Sequence, residues 1–262
     1  MKIDIVLHRL VHYIKYHLHA KDIHHIHSPF LFELVKHCFD KNNYYYSFDE
    51  LNLLRKKLSC DNRTIIYDDI GAKSTVLKKN TSIKEILSIA TTPPEYSELY
   101  FRIIQHLNCQ NILELGTSIG MNTLYLAKAT QGKVTSIEGQ KILYQYATEL
   151  LKQQHITNVK LIHGLFDDVL DNLLQNQTFD FVFIDGNHTY DATLNYYTKI
   201  YPQIAPKSVL IIDDIYWNKE MTKAWREICQ RPEKKYTLDL FRCGIVLFNP
   251  NIQYSQHFIL KY

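Results

Sequence analysis

From Gln110 onward, short uninterrupted apolar runs alternate with amphipathic stretches, and no other feature constrains the fold as much. The runs fall at 112–115, 134–137, 159–162, 181–184 and 209–212. Helical patterns lie between and after them, at about 121–129, 141–154, 167–175, 189–200 and 218–230. A strand that is apolar throughout has no wet face, so repeated strand–helix–strand units of this kind predict a parallel sheet covered on both sides. Right-handed crossovers then give a doubly wound, Rossmann-like α/β fold. Three β-like runs at 236–241, 244–248 and 257–260 follow with only short breaks. They predict an antiparallel pair at one edge and seven strands in all.

The first 109 residues read differently, as helices and irregular chain. Ile3, Val6, Leu7, Leu10, Val11, Ile14 and Leu18 share one face of a helix over 3–19. Ser28-Pro29 starts a second helix, with Ser28 as N-cap and Pro29 at the first position, where a missing N–H costs nothing. Further helices are predicted at 51–58 and about 95–106, the latter after the connector Thr91-Thr92-Pro93-Pro94. The expected organisation is an N-terminal extension over 1–94 and a ligand-binding domain over 95–262.

Composition narrows the partners. The chain of 262 residues is 46% hydrophobic and 22% charged, which is enough apolar material for a core. A net charge of +3 spread along the chain predicts no nucleic-acid footprint. Cys38, Cys60, Cys109, Cys229 and Cys243 are scattered and odd in number, so a disulfide framework is not expected and a cytoplasmic location is. No run approaches the roughly 20 apolar residues of a membrane span, and the start of the chain lacks a signal-peptide pattern. Eight of the 13 histidines occur by position 37. His8 and His12, four apart, could share a helix face as zinc ligands, or simply pack or face solvent.

Ligands bind such sheets at the carboxyl ends of the strands. The first predicted strand ends in Glu114-Leu115-Gly116-Thr117-Ser118-Ile119-Gly120. Gly116 allows a tight turn, and Gly120 allows close packing as the next helix begins. The second strand ends in Glu138, placed to accept hydrogen bonds from ribose hydroxyls. A glycine turn alone also fits a strand–helix junction with no ligand. A dinucleotide site is disfavoured, because the G-x-G-x-x-G fingerprint is missing and Glu114 stands where a pyrophosphate would be repelled.

A second candidate site lies at the ends of the fourth and fifth strands. Neighbouring parallel strands are ~5 Å apart, so Asp185, Asp213 and Asp214 can converge. Clustered carboxylates need a compensating cation, and oxygen ligands suit magnesium, calcium or manganese. Asp213 or Asp214 could instead cap the following helix. His188, three residues past Asp185, could act as a general base, contact substrate or lie on a surface loop. Asn187, Tyr190, Tyr216 and Trp217 lie on the same rim.

The ordered segments E-L-G-T-S-I-G, S-I-E-G, H-G-L-F-D-D, F-D-F-V-F-I-D-G-N-H and L-I-I-D-D-I-Y-W resemble the motifs of class I S-adenosylmethionine-dependent methyltransferases over about 95–262. The segment I-H-S-P-F at 26–30 is similar to an N-terminal signature of a group of bacterial methyltransferases. The resemblance implies that the extension over 1–94 acts as a lid over the site or as a homodimer contact. The resemblance implies S-adenosylmethionine as cofactor, held by Glu114, Gly116, Ser118, Gly120, Asn122, Glu138, Gly164, Phe166 and Asp185. Glu114 and Gly116 would line its methionine end, Glu138 its ribose, and the segment from Gly164 through Phe166 to Asp167 its adenine. Ser118 replaces the middle glycine often found there. In the catechol-type, caffeoyl-CoA-type and antibiotic O-methyltransferases the positions of Asp185, Asp213 and Asp214 hold a divalent metal, though the plant and animal enzymes usually have Asn at the position of Asp214. His188 stands where the catechol-type enzymes carry a Lys base. Methyl transfer to a hydroxyl of a small molecule, with metal assistance, is thus the expected function. Metal-independent transfer to nitrogen or to a macromolecule, and a non-catalytic binding module, are the alternatives; the missing N-P-P-Y-type motif argues against nucleobase methylation.

Overall fold

The computed structural model describes residues 3–66 and 80–262. Along the chain come α1 (Ile3–His19), α2 (Pro29–Cys38), α3 (Tyr46–Leu58), β1 (Thr64–Ile66), β2 (Asn80–Ser82), α4 (Ile83–Ile89) and α5 (Pro94–Leu107). Then follow β3 (Asn111–Leu115), α6 (Met121–Lys128), β4 (Lys133–Glu138), α7 (Lys141–Gln153), β5 (Val159–His163), α8 (Phe166–Asn176) and β6 (Phe179–Ile184). The last part holds α9 (Tyr190–Ile200), β7 (Ile204–Asp213), α10 (Lys219–Gln230), β8 (Tyr236–Asp239), β9 (Cys243–Phe248) and β10 (Gln256–Ile259). The predicted α/β class, the five core strands and the intervening helices are all present. The chain forms two compact units: Leu34–Leu170, and Met1–Glu33 together with Asp171–Tyr262. Their division does not follow the expected boundary at residue 94.

In the Leu34–Leu170 unit, β3, β4 and β5 are parallel, with β4 in the middle. The strands stop where the backbone must turn. Asn108 takes a left-handed conformation to end α5 (φ 54°) and lets its N–H bond back into the helix. Ser82 and Glu85 form a reciprocal capping box that starts α4 beside the short antiparallel pair β1–β2, which the sequence reading missed. Buried Arg102 donates to the carbonyls of Asn43 (3.0 Å) and Cys38 (3.4 Å), tying the α2–α3 connection to α5. Beside it, Phe48 packs on Phe101 with ring centres 5.0 Å apart.

In the other unit, β6 and β7 run parallel, and β9 lies antiparallel to both β7 and β8. The expected antiparallel edge is therefore found, but β10 adds to β8 in parallel outside it. Among the described residues the two units hold three and five of these strands, eight in place of the predicted seven. Lys21 is drawn into the same arrangement, donating to Ile259 O (2.9 Å) and accepting from Lys261 N (3.0 Å). α1 spans the residues predicted, yet it packs through the opposite face from the apolar one. Tyr16 is buried and donates to Leu260 O (2.5 Å), while Leu7, Leu10, Ile14 and Leu18 are exposed. No described helix is long and apolar enough to cross a membrane.

Gly244 in β9 lies under the Trp225 indole, and a Cβ there would meet Trp225 Cζ3 at 2.5 Å. Trp225 is buried, with its ring fixed on α10. Gly244→Ala is expected to lower stability by about 1–3 kcal/mol through overpacking, measured as a fall in the urea midpoint at unchanged slope. A midpoint equal to the parent's would show that the indole moves freely.

Candidate functional site

The first group of predicted residues lies in the Leu34–Leu170 unit, at the ends of β3 and β4. Glu114 is expected there as a lining residue for a ligand, but its side chain turns into the protein and is 0% exposed. Its Oε1 accepts from Asn122 Nδ2 (2.9 Å), and its Oε2 accepts from Thr123 Oγ1 (2.5 Å) and Ser136 Oγ (2.6 Å). Thr117 Oγ1 lies 2.6 Å from Ser136 Oγ, and Ser97 Oγ donates to Asn122 Oδ1 at 2.9 Å. Glu114 and Asn122 thus brace the turn from within. A buried polar group must be satisfied where it stands, and this network does that for a carboxylate that water cannot reach.

The turn needs unusual backbone. Gly116 has φ 105°, Gly120 has φ 83°, and between them Ser118 adopts φ 53°. A Cβ on Gly120 would stand 3.2 Å from the Ala147 Cβ of α7, which is the close packing expected of it. Ser118 lacks glycine's freedom, but its N–H gains a charged partner, Glu138 Oε2 at 2.8 Å.

Glu138 ends β4 and is nearly buried. Its Oε1 accepts from Gln140 N at 2.8 Å. Burial lifts its pKa above the usual carboxylate range, while backbone N–H groups of Gln140, Ser118, Thr117 and Gly139 act against the shift. Beside it, Ser118 Oγ and Gln140 Oε1 are buried with no protein partner. Orphaned polar atoms on both sides of a carboxylate fit a ligand that brings its own hydroxyls. Gln140 was not singled out from sequence; its position two residues past Glu138 was the available signal. Gly164 donates its N–H to Glu138 O (3.0 Å), which sets the start of α8, and half-buried Phe166, next to this carboxylate.

The second group lies in the other unit, at the ends of the parallel neighbours β6 and β7. Asp185 Oδ1 faces His188 Nε2 at 3.5 Å. Asn218 Nδ2 donates to His188 O (3.0 Å), fixing the loop that carries it, and His188 Nδ1 is buried without a partner. Trp217 flanks the imidazole, with ring centres 6.3 Å apart. Asn187, at φ 50°, donates to Tyr196 Oη (3.0 Å), whereas Tyr190 donates to Glu227 and faces away from this pair.

Asp213 is 1% exposed, and both its oxygens are taken by Arg242, at 3.2 Å from Nε and 2.9 Å from the terminal nitrogen. Asp214, in a left-handed conformation (φ 52°), lies 3.8 Å from the same guanidinium and accepts from Trp217 N (2.8 Å). Neither caps α10; Asn218 does, accepting from Met221 N at 2.8 Å. Burial raises the Asp213 pKa, with Arg242 acting against it, and Arg242 itself is held firmly cationic by Asp213 and Asp214 despite its burial. The cation expected beside Asp185, Asp213 and Asp214 is thus a side chain of this chain. Among the described residues no three His, Cys, Asp or Glu side chains are grouped to hold a metal ion. As arranged here, with both oxygens of Asp213 engaged by Arg242, the expected set Asp185, Asp213 and Asp214 does not fit a divalent metal.

Residues 113–215 match the methyltransferase domain family. A 138-residue stretch is 25% identical to EEF1A lysine methyltransferase 2 of Danio rerio, covering 47% of this chain and 58% of that relative; the match thus spans little more than half of the relative's length. Among solved structures, an O-methyltransferase from Bacillus cereus in complex with S-adenosylhomocysteine aligns with TM-score 0.55 at 18% identity, over 77% of this chain and 99% of that one. The S-adenosylhomocysteine-bound methyltransferase PaMTH1 of Podospora anserina aligns with TM-score 0.57 at 14% identity, over 86% and 97%. The O-methyltransferase TomG of Streptomyces achromogenes, in complex with S-adenosylmethionine, aligns with TM-score 0.55 at 16% identity, over 78% and 100%.

Burial pushes the Glu114 carboxyl up to about 7, against the hydrogen bonds of Ser136, Thr123 and Asn122. A pKa raised on folding contributes stability that is present below the unfolded value of 4.5 and lost as pH rises through about 7. Glu114→Gln keeps the shape and cannot ionise. The parent is therefore expected to lose, on the order of 2–3 kcal/mol, relative to Glu114→Gln between pH 4.5 and 8. Denaturation midpoints of both proteins across that range test this, and a constant difference between them would refute it.

Proposed function

We infer from the matched domain and the aligned structures that the chain has the fold of the class I methyltransferases. We propose that the protein is an S-adenosylmethionine-dependent methyltransferase acting on a hydroxyl of a small molecule. One observation carries the cofactor: the buried Glu138 carboxylate, held by the Ser118 and Gln140 N–H groups, with orphaned Ser118 Oγ and Gln140 Oε1 alongside. Ribose hydroxyls would donate to Glu138 and pair with those two atoms. Phe166 and Gly164 would flank the adenine. The cofactor supplies a methyl group on a positively charged sulfur, which departs as a neutral thioether.

His188 is the base in this reading. Asp185 faces Nε2 and favours the proton there, so Nδ1 carries the lone pair. Its lack of a protein partner leaves it for the acceptor hydroxyl. An acceptor hydroxyl placed at Nδ1 would give up its proton there, and the Asp185 carboxylate would steady the resulting imidazolium. Arg242 neutralises Asp213 and limits its repulsion of Asp185. Positioning and proton removal, with no resident divalent metal, then account for the rate. Lysine methylation is a second reading, favoured by the match to the Danio rerio lysine methyltransferase.

Titration calorimetry with S-adenosylhomocysteine tests the cofactor site. Glu138→Ala is expected to weaken binding at least about 100-fold, the loss of two charge-assisted hydrogen bonds, with Glu138→Gln in between. Unchanged affinity in Glu138→Ala would remove the basis of the proposal. For the base, His188→Ala is expected to lower kcat by about 10²–10⁴ at unaltered S-adenosylhomocysteine affinity, and chelator should leave parental activity unchanged. Radiolabelled methyl recovered as methyl-lysine, with no labelled phenol or sugar, would move the acceptor to the second reading.

A further inference from the structure

α1 and α10 border a groove of about 360 Å³ that plays no part in the chemistry above. Its walls include His8 and His12 from α1 and Lys219, Thr222, Lys223 and Arg226 from α10. The spacing of 219, 223 and 226 puts three cations on one helix face, which like charges would not favour by themselves. Glu227 is the acid on the lining, and it is already engaged by Tyr190 and by Arg231 at 3.8 Å. Among the described residues, neither Lys219 nor Arg226 has a carboxylate within ion-pair distance. Lys223 lies over the Tyr190 ring at 3.9 Å.

The two histidines show how the groove manages this charge. Thr222 donates its hydroxyl to Asn218 O (3.0 Å) or Ile215 O (3.2 Å), so it accepts from His8 Nε2–H (2.9 Å). His12 donates Nδ1–H to His8 O (2.9 Å), and its Nε2 accepts from Arg226 at 3.4 Å. The two rings lie 4.2 Å apart, with His12 stacked on Tyr216. Burial first, then His12, Lys219 and Arg226, hold the His8 pKa below its ordinary value, with the Asn218 carbonyl acting the other way.

We propose that this groove is a binding site for a phosphate group, free or carried as a monoester by a small molecule. Three converging cations beside the two imidazoles match a dianion with several acceptor oxygens, and the volume exceeds what a single carboxylate fills. Binding takes up protons, because a dianion beside His8 reverses the field that Lys219 and Arg226 set there. Affinity therefore rises as pH falls toward the histidine range. Arg9, Lys223, Glu227 and Tyr216 complete the charged and titratable surroundings from α1, α10 and the loop before it. The site stands independently of methyl transfer.

The test is an imidazole NMR titration of the full chain with inorganic phosphate and with phenyl phosphate, against chloride at matched ionic strength. Phosphate is expected to raise the His8 pKa by about one unit, and the double variant Lys219→Ala/Arg226→Ala, at exposed positions, to bind roughly tenfold or more weakly. Without phosphate that variant should already show a raised His8 pKa, which checks that the groove is folded. Preference for phenyl phosphate assigns a phosphorylated small molecule; equal affinity assigns free phosphate. Equal responses to phosphate and chloride, or a variant that binds like the parent, would reduce the groove to a solvated cationic face.

Discussion

One buried carboxylate organises the ligand-binding end of the Leu34–Leu170 unit. Glu114 gathers donors from α6 and β4, and through Asn122 it reaches α5. A charge without water is tolerable only when hydrogen bonds replace it. The turn after β3 is therefore fixed from behind, which leaves its outer surface, with Ser118 and Glu138, for a ligand. Two acidic residues at adjacent strand ends have been given opposite tasks: Glu114 is saturated by protein donors, while Glu138 stands beside orphaned polar atoms.

Much of this could be read from sequence because the signals are local. Strand and helix periodicity located every core element, and Ser28-Pro29 marked the start of α2. Gly116, Gly120 and Glu138 stood out because turns and strand ends impose their own residue types. The direction of the Glu114 side chain was not legible. A strand residue's face depends on register, and the hydroxyl partners Thr123 and Ser136 are not distinctive by type. The exposed face of α1 was misleading for a related reason. Its apolar period was sound, but periodicity does not say which face a helix buries, and the face α1 buries is formed by histidine and tyrosine.

The carboxylates at β6 and β7 show the same limit from the other side. The need for a positive charge beside Asp213 follows from the sequence and is met. What supplies it was hidden, since Arg242 lies 29 residues from Asp213. The two meet because β7 and β9 pair antiparallel with Asp213 opposite Cys243. The tight return at 240–243, with Phe241 at φ 64°, then turns the guanidinium onto both oxygens. Only the strand register, and not any motif, puts an arginine where an ion had been expected.

The pairing of Lys21 with Ile259 and Lys261 has a consequence for how the molecule is made. The unit that holds α1 is assembled from the first 33 residues and the last 92, with the whole of the other unit inserted between. During synthesis α1 emerges well before the strand that receives Lys21. Until then α1 must wait as an amphipathic segment with neither its partner helix nor its edge strand. Closing so long a loop adds only slowly to the entropic cost, which grows with the logarithm of its length. The delay is therefore one of order rather than of energy: α1 is expected to dock only after β10 has been made.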